Sequence, residues 1–345
     1  MKRYAYILII GIFLLGCVSC SNQGNGYKDT WLCPADSLQS EVFNSTFLLA
    51  KPTGLFVYDS ILIVSDARCG NNLFYAFNTY DGSFLKGGGK KGEAPGEVLT
   101  PGNVHLDKDG RLSYWDIHKH KLICYDMNIF LKDSTVHFTE CLLKNEHMKA
   151  VNILDATVIE DGYLYNSNTE QHIGIYQTES YMDAPSLPGI SSMEICRAIM
   201  NRGHLEVSPD NKYAIRATSI GGIVQCYDIE NGAIKEKWIK LFFPPNYKIA
   251  EGAKPIWITW KPETQMGFDD LFVTNQAVYL LLNGKFAKDK PYANEVLVMD
   301  WNGHIIKKYW LDQTVSSIAV NEAQSMLYAI TCGFGVEPNI ISFAL

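Results

Sequence analysis

The stretch Gly87–Val98 (GGGKKGEAPGEV) combines glycines with two lysines, as phosphate-binding loops do. A P-loop needs the pattern G-x-x-x-x-G-K-[ST] between a buried strand and a helix, because backbone N–H groups and the lysine hold the phosphates. No Ser or Thr follows the lysines here, and Pro95 and Pro101 would interrupt a helix. The segment is therefore predicted to be a surface crossover between two structural units.

The other motifs that could carry chemistry are fragments. His118 and His120 could share one face of a strand and bind a metal, but they lie in the polar run IHKHK, where a turn is expected. The segment Asp107–Gly110 resembles the start of a calcium loop but lacks its later ligands, so a hairpin turn is predicted. The sequence contains no H-E-x-x-H, no G-x-S-x-G and no metal-finger spacing of cysteines. We therefore predict no metal, no cofactor and no catalytic residue from motifs.

Two segments of the chain repeat each other. They are Asn103–Asp126 (NVHLDKDGRLSYWDIHKHKLICYD) and Leu205–Asp228 (LEVSPDNKYAIRATSIGGIVQCYD). Each contains a short apolar strand, a turn with Asp, a second strand, a polar turn and a third strand that ends in Cys-Tyr-Asp. Asp-Gly and Asp-Asn suit hairpins because these residues tolerate a positive φ. Weaker copies of the unit fill most of the remaining chain.

The period of these units predicts the fold class. Four-stranded units of roughly 40–50 residues arranged radially are typical of a β-propeller, and about 300 residues give six of them. We expect an all-β, six-bladed β-propeller with four-stranded antiparallel blades over residues 31–345. An N-terminal strand within Glu41–Ala50 is predicted to close the ring, because closure hides the sheet edges. Helical patterns are limited to Ser192–Met200 and Pro245–Glu251.

Two short motifs resemble a known family. The pattern G-x-x-G-x-x-P-G-E at residues 89–97 resembles the crossover of TolB-like six-bladed propellers, which are related to NHL-type propellers. The turn at residues 208–212 (SPDNK) resembles their Ser-Pro-Asp-Gly-Lys turn, with Asn211 in place of Gly. The resemblance covers about residues 40–345 and implies the same fold. It implies little about function, because propellers have many unrelated functions.

The N-terminus indicates the cellular compartment. Residues 1–16 have two basic residues and then an apolar stretch that is shorter than the ~20 residues of a membrane span, which is typical of a signal peptide. Leu14, Gly16 and Cys17 resemble a bacterial lipobox, which implies cleavage before Cys17 and acylation of its thiol. Cys20 is the alternative anchor, although Cys17 would then lie three residues before the acylated Cys, where a cysteine is unusual. An ordinary secretory signal is the other alternative.

The remaining N-terminal residues and the charge suggest the partners. Residues 17–30 are expected to form a flexible tether, and several acyl chains would anchor the protein stably in a membrane. We therefore expect a lipid-anchored protein of the cell envelope, on the outer membrane. The net charge of −7, with both signs interspersed, argues against a nucleic-acid partner.

Propeller geometry selects the candidate site residues. Inner strands line the central channel, and five chemically useful side chains are predicted on them: His105, His204, Glu206, Trp257 and Trp260. Such a channel suits a polar ligand, with aromatic faces for a sugar or a peptide. The alternative is that these side chains only plug the channel or pack between blades.

The predicted function is a non-catalytic binding module for a protein, a peptide or a glycan. A hydrolase or lyase that uses channel residues is the alternative. Binding is favoured because the sequence shows isolated His and Glu rather than paired acid and base residues. The long insertions Tyr181–Arg202 and Phe243–Trp260 are expected to extend the binding surface, since long loops in compact domains are often functional.

Overall fold

The computed structural model describes residues 33–44, 46–66, 72–133, 137–143, 153–167, 169, 171–187, 189–191, 203–249, 258–289 and 292–345. Regular structure in these residues is nearly all β, as predicted. One short α-helix, α1 (Met127–Phe130), and two 3-10 helices, Ala287–Asp289 and Glu322–Gln324, interrupt the strands.

The strands form blades that follow one another along the chain. Two strands come first: β1 (Asp36–Leu38) and β2 (Glu41–Asn44). Blade 1 contains β3 (Pro52–Tyr58), β4 (Ile61–Asp66), β5 (Phe74–Asn78) and β6 (Phe84–Gly88). Two short strands, β7 (Lys90–Lys91) and β8 (Glu97–Val98), follow it. Blade 2 contains β9 (Pro101–Leu106), β10 (Arg111–Asp116), β11 (Lys121–Asp126) and β12 (Phe138–Leu142).

The second half of the chain continues the pattern. Blade 3 contains β13 (Ile153–Ile159), β14 (Gly162–Ser167), β15 (Gln171–Ile175) and β16 (Ser180–Asp183). Blade 4 contains β17 (Gly203–Val207), β18 (Tyr213–Thr218), β19 (Ile223–Glu230) and β20 (Ala233–Leu241). A small hairpin follows, made of β21 (Lys248–Ile249) and β22 (Ile258–Thr259). The last strands are β23 (Phe268–Val273), β24 (Val278–Leu282), β25 (Ala293–Met299), β26 (Ile305–Asn321), β27 (Met326–Thr331) and β28 (Ile340–Ala344).

Strand β26 belongs to two blades. Its first part pairs with β25, where Tyr309 lies opposite Val296. Its second part pairs with β27, where Ala319 lies opposite Tyr328. The eight-stranded sheet that contains it therefore combines blade 5 (β23 to the first part of β26) with blade 6 (the second part of β26, β27, β28 and β2). The protein is a six-bladed propeller, as predicted.

The N-terminal segment closes the ring. Strand β2 pairs antiparallel with the last strand, β28, so that Val42 lies opposite Ile341. This is the closing strand predicted within Glu41–Ala50, and it ends earlier than that range, at Asn44. Strand β1 adds a second connection that was not predicted, because it pairs in parallel with β26, with Asp36 opposite Tyr309.

Short polar turns connect the strands of each blade. The carboxylate of Asp107 accepts hydrogen bonds from the backbone of its own turn, and Gly110 supplies a φ of +78°. Asp116 accepts from the N–H groups of His118 and Lys119, so the two-histidine run is a hairpin turn, as predicted. Asn211 has a φ of +59°, which Asn tolerates better than most residues.

The glycine-rich segment 87–98 is the crossover between blades 1 and 2. It leaves β6, the outer strand of blade 1, and ends just before β9, the inner strand of blade 2. Gly88 lies against the ring of Phe130, which a Cβ would approach to 2.4 Å. These glycines therefore allow close packing of the crossover on the next blade.

The apolar core lies between neighbouring blades. Blades 1 and 2, for example, bury Phe74 from one side and Tyr114, Tyr125 and Phe130 from the other, with ring centroids 5.1–6.4 Å apart around Phe74. Similar clusters fill the other interfaces. Each blade thus covers both faces of its sheet with its neighbours, and the apolar clusters of the described residues lie between blades.

Helices were predicted at two short segments between blades. The described part of Pro245–Glu251 contains β21 and no helix, because Lys248 and Ile249 pair with Thr259 and Ile258. Ser192–Met200 lies outside the described residues. In the described part of the chain no helix has the length and apolar character needed to cross a membrane.

The closing strand allows a direct test of ring stability. Phe43 is half-buried and packs edge-on against Tyr328 at 5.1 Å, whereas its neighbour Val42 is 67% exposed. We expect Phe43→Ala to lower the free energy of unfolding by about 2 kcal/mol, below the range for a fully buried Phe. Val42→Ala, the control on the other face, should change it by less than about 0.5 kcal/mol. Equal effects in urea unfolding would show that β2 does not stabilise the ring through this contact.

Candidate functional site

Polar side chains occupy one register position on the inner strands of four blades. In each of these blades the inner strand pairs with the second strand at this position. The pairs are Asp155 with Asn166, His204 with Ala217, Asp270 with Leu281, and Ser317 with Ile330. His105 lies two residues after Asn103 on β9, and Glu206 lies two residues after His204 on β17. Each pair shares one face of its strand, since residues two apart point to the same side. We call the set the polar belt: Asn103, His105, Asp155, His204, Glu206, Asp270 and Ser317.

One half of the polar belt joins blades 1, 5 and 6. The N–H of Leu55 in blade 1 donates to Ser317 Oγ in blade 6 over 3.1 Å. Ser317 Oγ donates in turn to Asp270 Oδ2 in blade 5 over 2.6 Å, and the N–H of Ile318 donates to the same oxygen over 2.8 Å. The other carboxylate oxygen of Asp270 lies 3.6 Å from His204 Nδ1 in blade 4.

The other half joins blades 2, 3 and 4. His105 Nε2 lies 2.9 Å from Asp155 Oδ1, and Asn103 Nδ2 donates to Asp155 Oδ2 over 2.8 Å. His105 Nδ1 lies 3.4 Å from Glu206 Oε1. Because Glu206 and His204 are two residues apart on β17, the two halves meet there. The polar belt therefore connects all six blades across the axis.

The electrostatics of the belt centre on His105, which is only 3% exposed. Burial alone would lower its pKa, but the charges of Asp155 and Glu206 outweigh burial and raise the pKa to about 10. Burial would raise the pKa of Asp155, but the charge and hydrogen bond of His105 hold it below its ordinary value. His105 is thus an imidazolium between two carboxyl groups at neutral pH.

The pKa values of the other two carboxyl groups of the belt, Glu206 and Asp270, are raised rather than lowered. Burial raises the pKa of Glu206 despite the opposing charge of His105. Burial also raises the pKa of Asp270, against the opposing effects of His204 and Ser317. The side chains of Glu206 and Asp270 remain 21% and 18% exposed, so both reach the channel. Carboxyl groups of this kind can donate or accept a proton near their raised pKa.

A cavity of about 600 Å³ lies on the side of the belt where the inner strands end. We call it cavity A. Blades 2 to 4 give it a polar wall, with His105, Thr157 and Glu206 at equivalent register positions. Blades 1 and 5 give it an aromatic wall, with Phe56 and Phe272 at the same position. Cavity A is therefore amphipathic.

A second cavity, of about 560 Å³, lies where the inner strands begin. We call it cavity B. Its wall includes Asp155, Asn166, Arg216 and Asp269, and His204 lines both cavities. Gly102 and Asn103 also line both cavities, so the two cavities adjoin at the polar belt. Within the described ranges, no group of three His, Cys, Asp or Glu side chains has the geometry of a metal site.

The structure brings together three of the five predicted site residues. His105, His204 and Glu206 lie on inner strands and line cavity A. Trp260 was expected on an inner strand, but it follows β22 and is 44% exposed, because the inner strand of blade 5 begins only at Phe268. Trp257 lies outside the described residues.

Sequence reasoning missed the partners that make the site. Asp155, Asp270 and Ser317 were not singled out, although each is a polar residue beside apolar ones in an inner strand. Aligning the inner strands by their opposing second strands would have detected them. In the insertion Phe243–Trp260 and its flank, Phe242 and Phe243 are buried against blade 5 and offer no partner surface.

The charge of His105 predicts a pH-dependent stability. Its pKa of about 10 in the folded protein exceeds the ordinary value of 6.5, so its stabilisation is complete below pH 6.5 and is lost as the pH rises towards 10. His105→Leu should flatten this part of the stability curve and lower the free energy of unfolding by about 3–5 kcal/mol at neutral pH. His304→Leu is the control, because its side chain is 73% exposed. Thermal unfolding that keeps the wild-type pH slope in His105→Leu would contradict the assignment.

A family comparison agrees with this architecture. The model of a family described as TolB-like 6-blade propeller-like matches residues 33–323. No curated protein matches the chain. Among solved structures, the β-propeller domain of Cps50 (Swd1) from Myceliophteria thermophila is 11% identical, with a TM-score of 0.46, over 89% of this chain and 99% of that one. A Bacteroides fragilis NCTC 9343 protein described as exported is 12% identical, with a TM-score of 0.49, over 89% and 94%. Since the family model spans most of the sequence, the chain belongs to the TolB-like six-bladed propeller family.

Proposed function

We propose that this protein is a lipid-anchored binding module of the cell envelope. Acylation of Cys17, with Cys20 as the alternative, would hold the propeller on the outer membrane through a tether formed by residues 17–30. The lipobox-like sequence around Leu14, Gly16 and Cys17 supports this location. More than one acyl chain is needed for stable anchoring, which an acylated N-terminal Cys would supply.

The binding site is cavity A, and its amphipathic wall is the observation that carries the proposal. A preformed cavity with one aromatic wall and a few fixed polar groups is the usual form of a ligand site. The hydrogen bonds of the polar belt fix its polar groups before any ligand arrives. Binding then costs little ordering of the protein.

The charges of cavity A suggest the ligand class. Its acidic side chains outnumber its basic ones: Asp59, Glu206 and Asp270 against Lys108 and the imidazolium of His105, while the charge of Asp107 is paired with Arg111. An apolar group would pack on Phe56 and Phe272, while a cationic group would face Glu206 and Asp270. A peptide segment with adjacent basic and apolar side chains, free or as part of an envelope protein, fits both walls. A glycan would use the aromatic wall but not the negative charge.

Catalysis is the second candidate, and one observation favours it. His204 and Glu206 share a face of β17, and burial raises the pKa of Glu206, so an acid and a base face the same cavity. A hydrolase or a lyase could use such a pair in proton transfer. Measurements of binding and of product formation on the same variant separate the two functions.

Replacement of the anchor cysteine tests the location. We expect Cys17→Ser to abolish the incorporation of radiolabelled palmitate and to release the protein from the membrane fraction. Cys20→Ser is the matched control and should leave both unchanged. If Cys17→Ser keeps its label while Cys20→Ser loses it, Cys20 is the anchor. If both variants and their combination still fractionate with membranes, the protein is not held there by either cysteine.

Neutralising Glu206 tests cavity A. The probes are two synthetic tripeptides with acetylated N-termini and amidated C-termini, Phe-Lys-Phe and its uncharged counterpart Phe-Gln-Phe. Calorimetry should show tighter binding of the lysine peptide to the wild type and a roughly tenfold loss in Glu206→Gln, which corresponds to about 1.4 kcal/mol. Glu230→Gln removes a charge at an exposed position, the last residue of β19 in the same blade, and should have no effect.

Three outcomes would decide against this proposal. Equal affinity for the two peptides would exclude a cation site in cavity A. Binding of neutral oligosaccharides, but not of peptides, would identify a glycan as the ligand. Cleavage of the lysine peptide that is lost in Glu206→Gln would identify the protein as a hydrolase.

A further inference from the structure

One buried side-chain oxygen beside cavity B, Asn166 Oδ1, accepts no hydrogen bond from the described residues. Asn166 is 2% exposed. Asn166 lies opposite Asp155 on the neighbouring strand, and both line cavity B. A buried acceptor without a partner destabilises a protein, so its presence requires an explanation.

The register of the blades shows that the fold does not need this amide. The equivalent positions of blades 4, 5 and 6 are Ala217, Leu281 and Ile330, all of them apolar and buried. Blade 1 has Ser65 at this position, but its hydroxyl accepts hydrogen bonds from Thr53 and Tyr114. Asn166 is therefore the exception among these blades in leaving a buried acceptor without a partner in the described residues. Such exceptions are expected at functional sites, where stability is given up for binding.

We propose that cavity B is a second ligand site, which binds a neutral sugar residue through a hydroxyl group donated to Asn166 Oδ1. The cavity volume of about 560 Å³ is within the size range of small-molecule sites. The site is distinct from cavity A, because the two cavities adjoin at the polar belt but differ in their other lining residues.

The wall of cavity B favours a neutral ligand with several hydroxyl groups. The positive charge of Arg216 acts on Asp155, and burial raises the pKa of Asp269, which favours the neutral form of that carboxyl group. Both oxygens of Asp155 already face donors in His105 and Asn103. Ser219, Ser316 and Tyr292 add hydroxyl groups that can donate or accept. A ligand with a full charge of either sign would meet a like charge in this cavity.

This inference does not depend on the proposed function of cavity A. Glu206 lines cavity A but not cavity B, and Asn166 lines cavity B but not cavity A. Variants at these two positions therefore test the two sites separately.

Saturation-transfer NMR with glucose, galactose and N-acetylglucosamine as probes tests the site on the full chain. At least one of these sugars should give a saturable signal, and glucosamine, the cationic counterpart, should give a weaker one. Asn166→Leu and Asn166→Ala should each lose the signal, whereas Glu206→Gln should keep it. The same two Asn166 variants place residues that blades 5 and 4 already carry at this position, so at least one should raise the Tm by removing the buried acceptor.

Four results would overturn the proposal. They are the absence of a saturable signal from every neutral sugar, an undiminished signal in a folded Asn166 variant, a stronger signal from glucosamine than from glucose, and a lowered Tm in both Asn166 variants. Loss of peptide binding at cavity A with retention of the sugar signal would leave this site standing while excluding the other.

Discussion

The ion triad of His105, Asp155 and Glu206 is the interaction on which the centre of the propeller depends. The blades bury their apolar side chains against each other, and the inner strands carry polar side chains toward the axis in the part of the chain that the structure describes. Inner strands from different blades meet there with polar side chains, and burial makes each of them costly unless it is paired. The imidazolium of His105 is hydrogen-bonded to Asp155 at Nε2, and its charge faces Glu206, 3.4 Å from Nδ1, so these contacts join blades 2, 3 and 4. The remaining blades join through Asp270 and Ser317.

The same constraint shapes the candidate site. The two cavities adjoin at the belt and have different walls, one amphipathic and one nearly balanced in charge. The belt residues that reach cavity A are held by neighbours on other blades, so the geometry of the site depends on the whole ring. A ligand in either cavity would contact several blades at once, which links occupancy of the channel to the stability of the ring.

Much of the fold could be predicted from the sequence, because propeller blades are local structures. The Asp turns, the alternating strands and the Cys-Tyr-Asp endings involve residues that are close in the chain, and their pattern predicted the blades, the crossover at Gly87–Val98 and the closing strand. The polar belt depends instead on contacts between residues far apart, such as His105 with Asp155. Those contacts follow from the relative register of the inner strands, which no local pattern encodes. Trp260 was misplaced for the same reason: its surroundings resemble a strand, but the chain reaches the axis only eight residues later, at Phe268.

The shared strand β26 also has a mechanical consequence. β1 pairs with its first part, β2 pairs with β28 of the same sheet, and the N–H of Ser40, between β1 and β2, donates to Asp312 within β26. A force applied at Cys33 would therefore load the eight-stranded sheet of blades 5 and 6 before any other blade. In the parallel pair of β1 and β26, a pull along the strands shears several hydrogen bonds together, whereas a pull across them breaks the bonds one at a time. The ring would therefore resist a pull along β1 better than a pull across it.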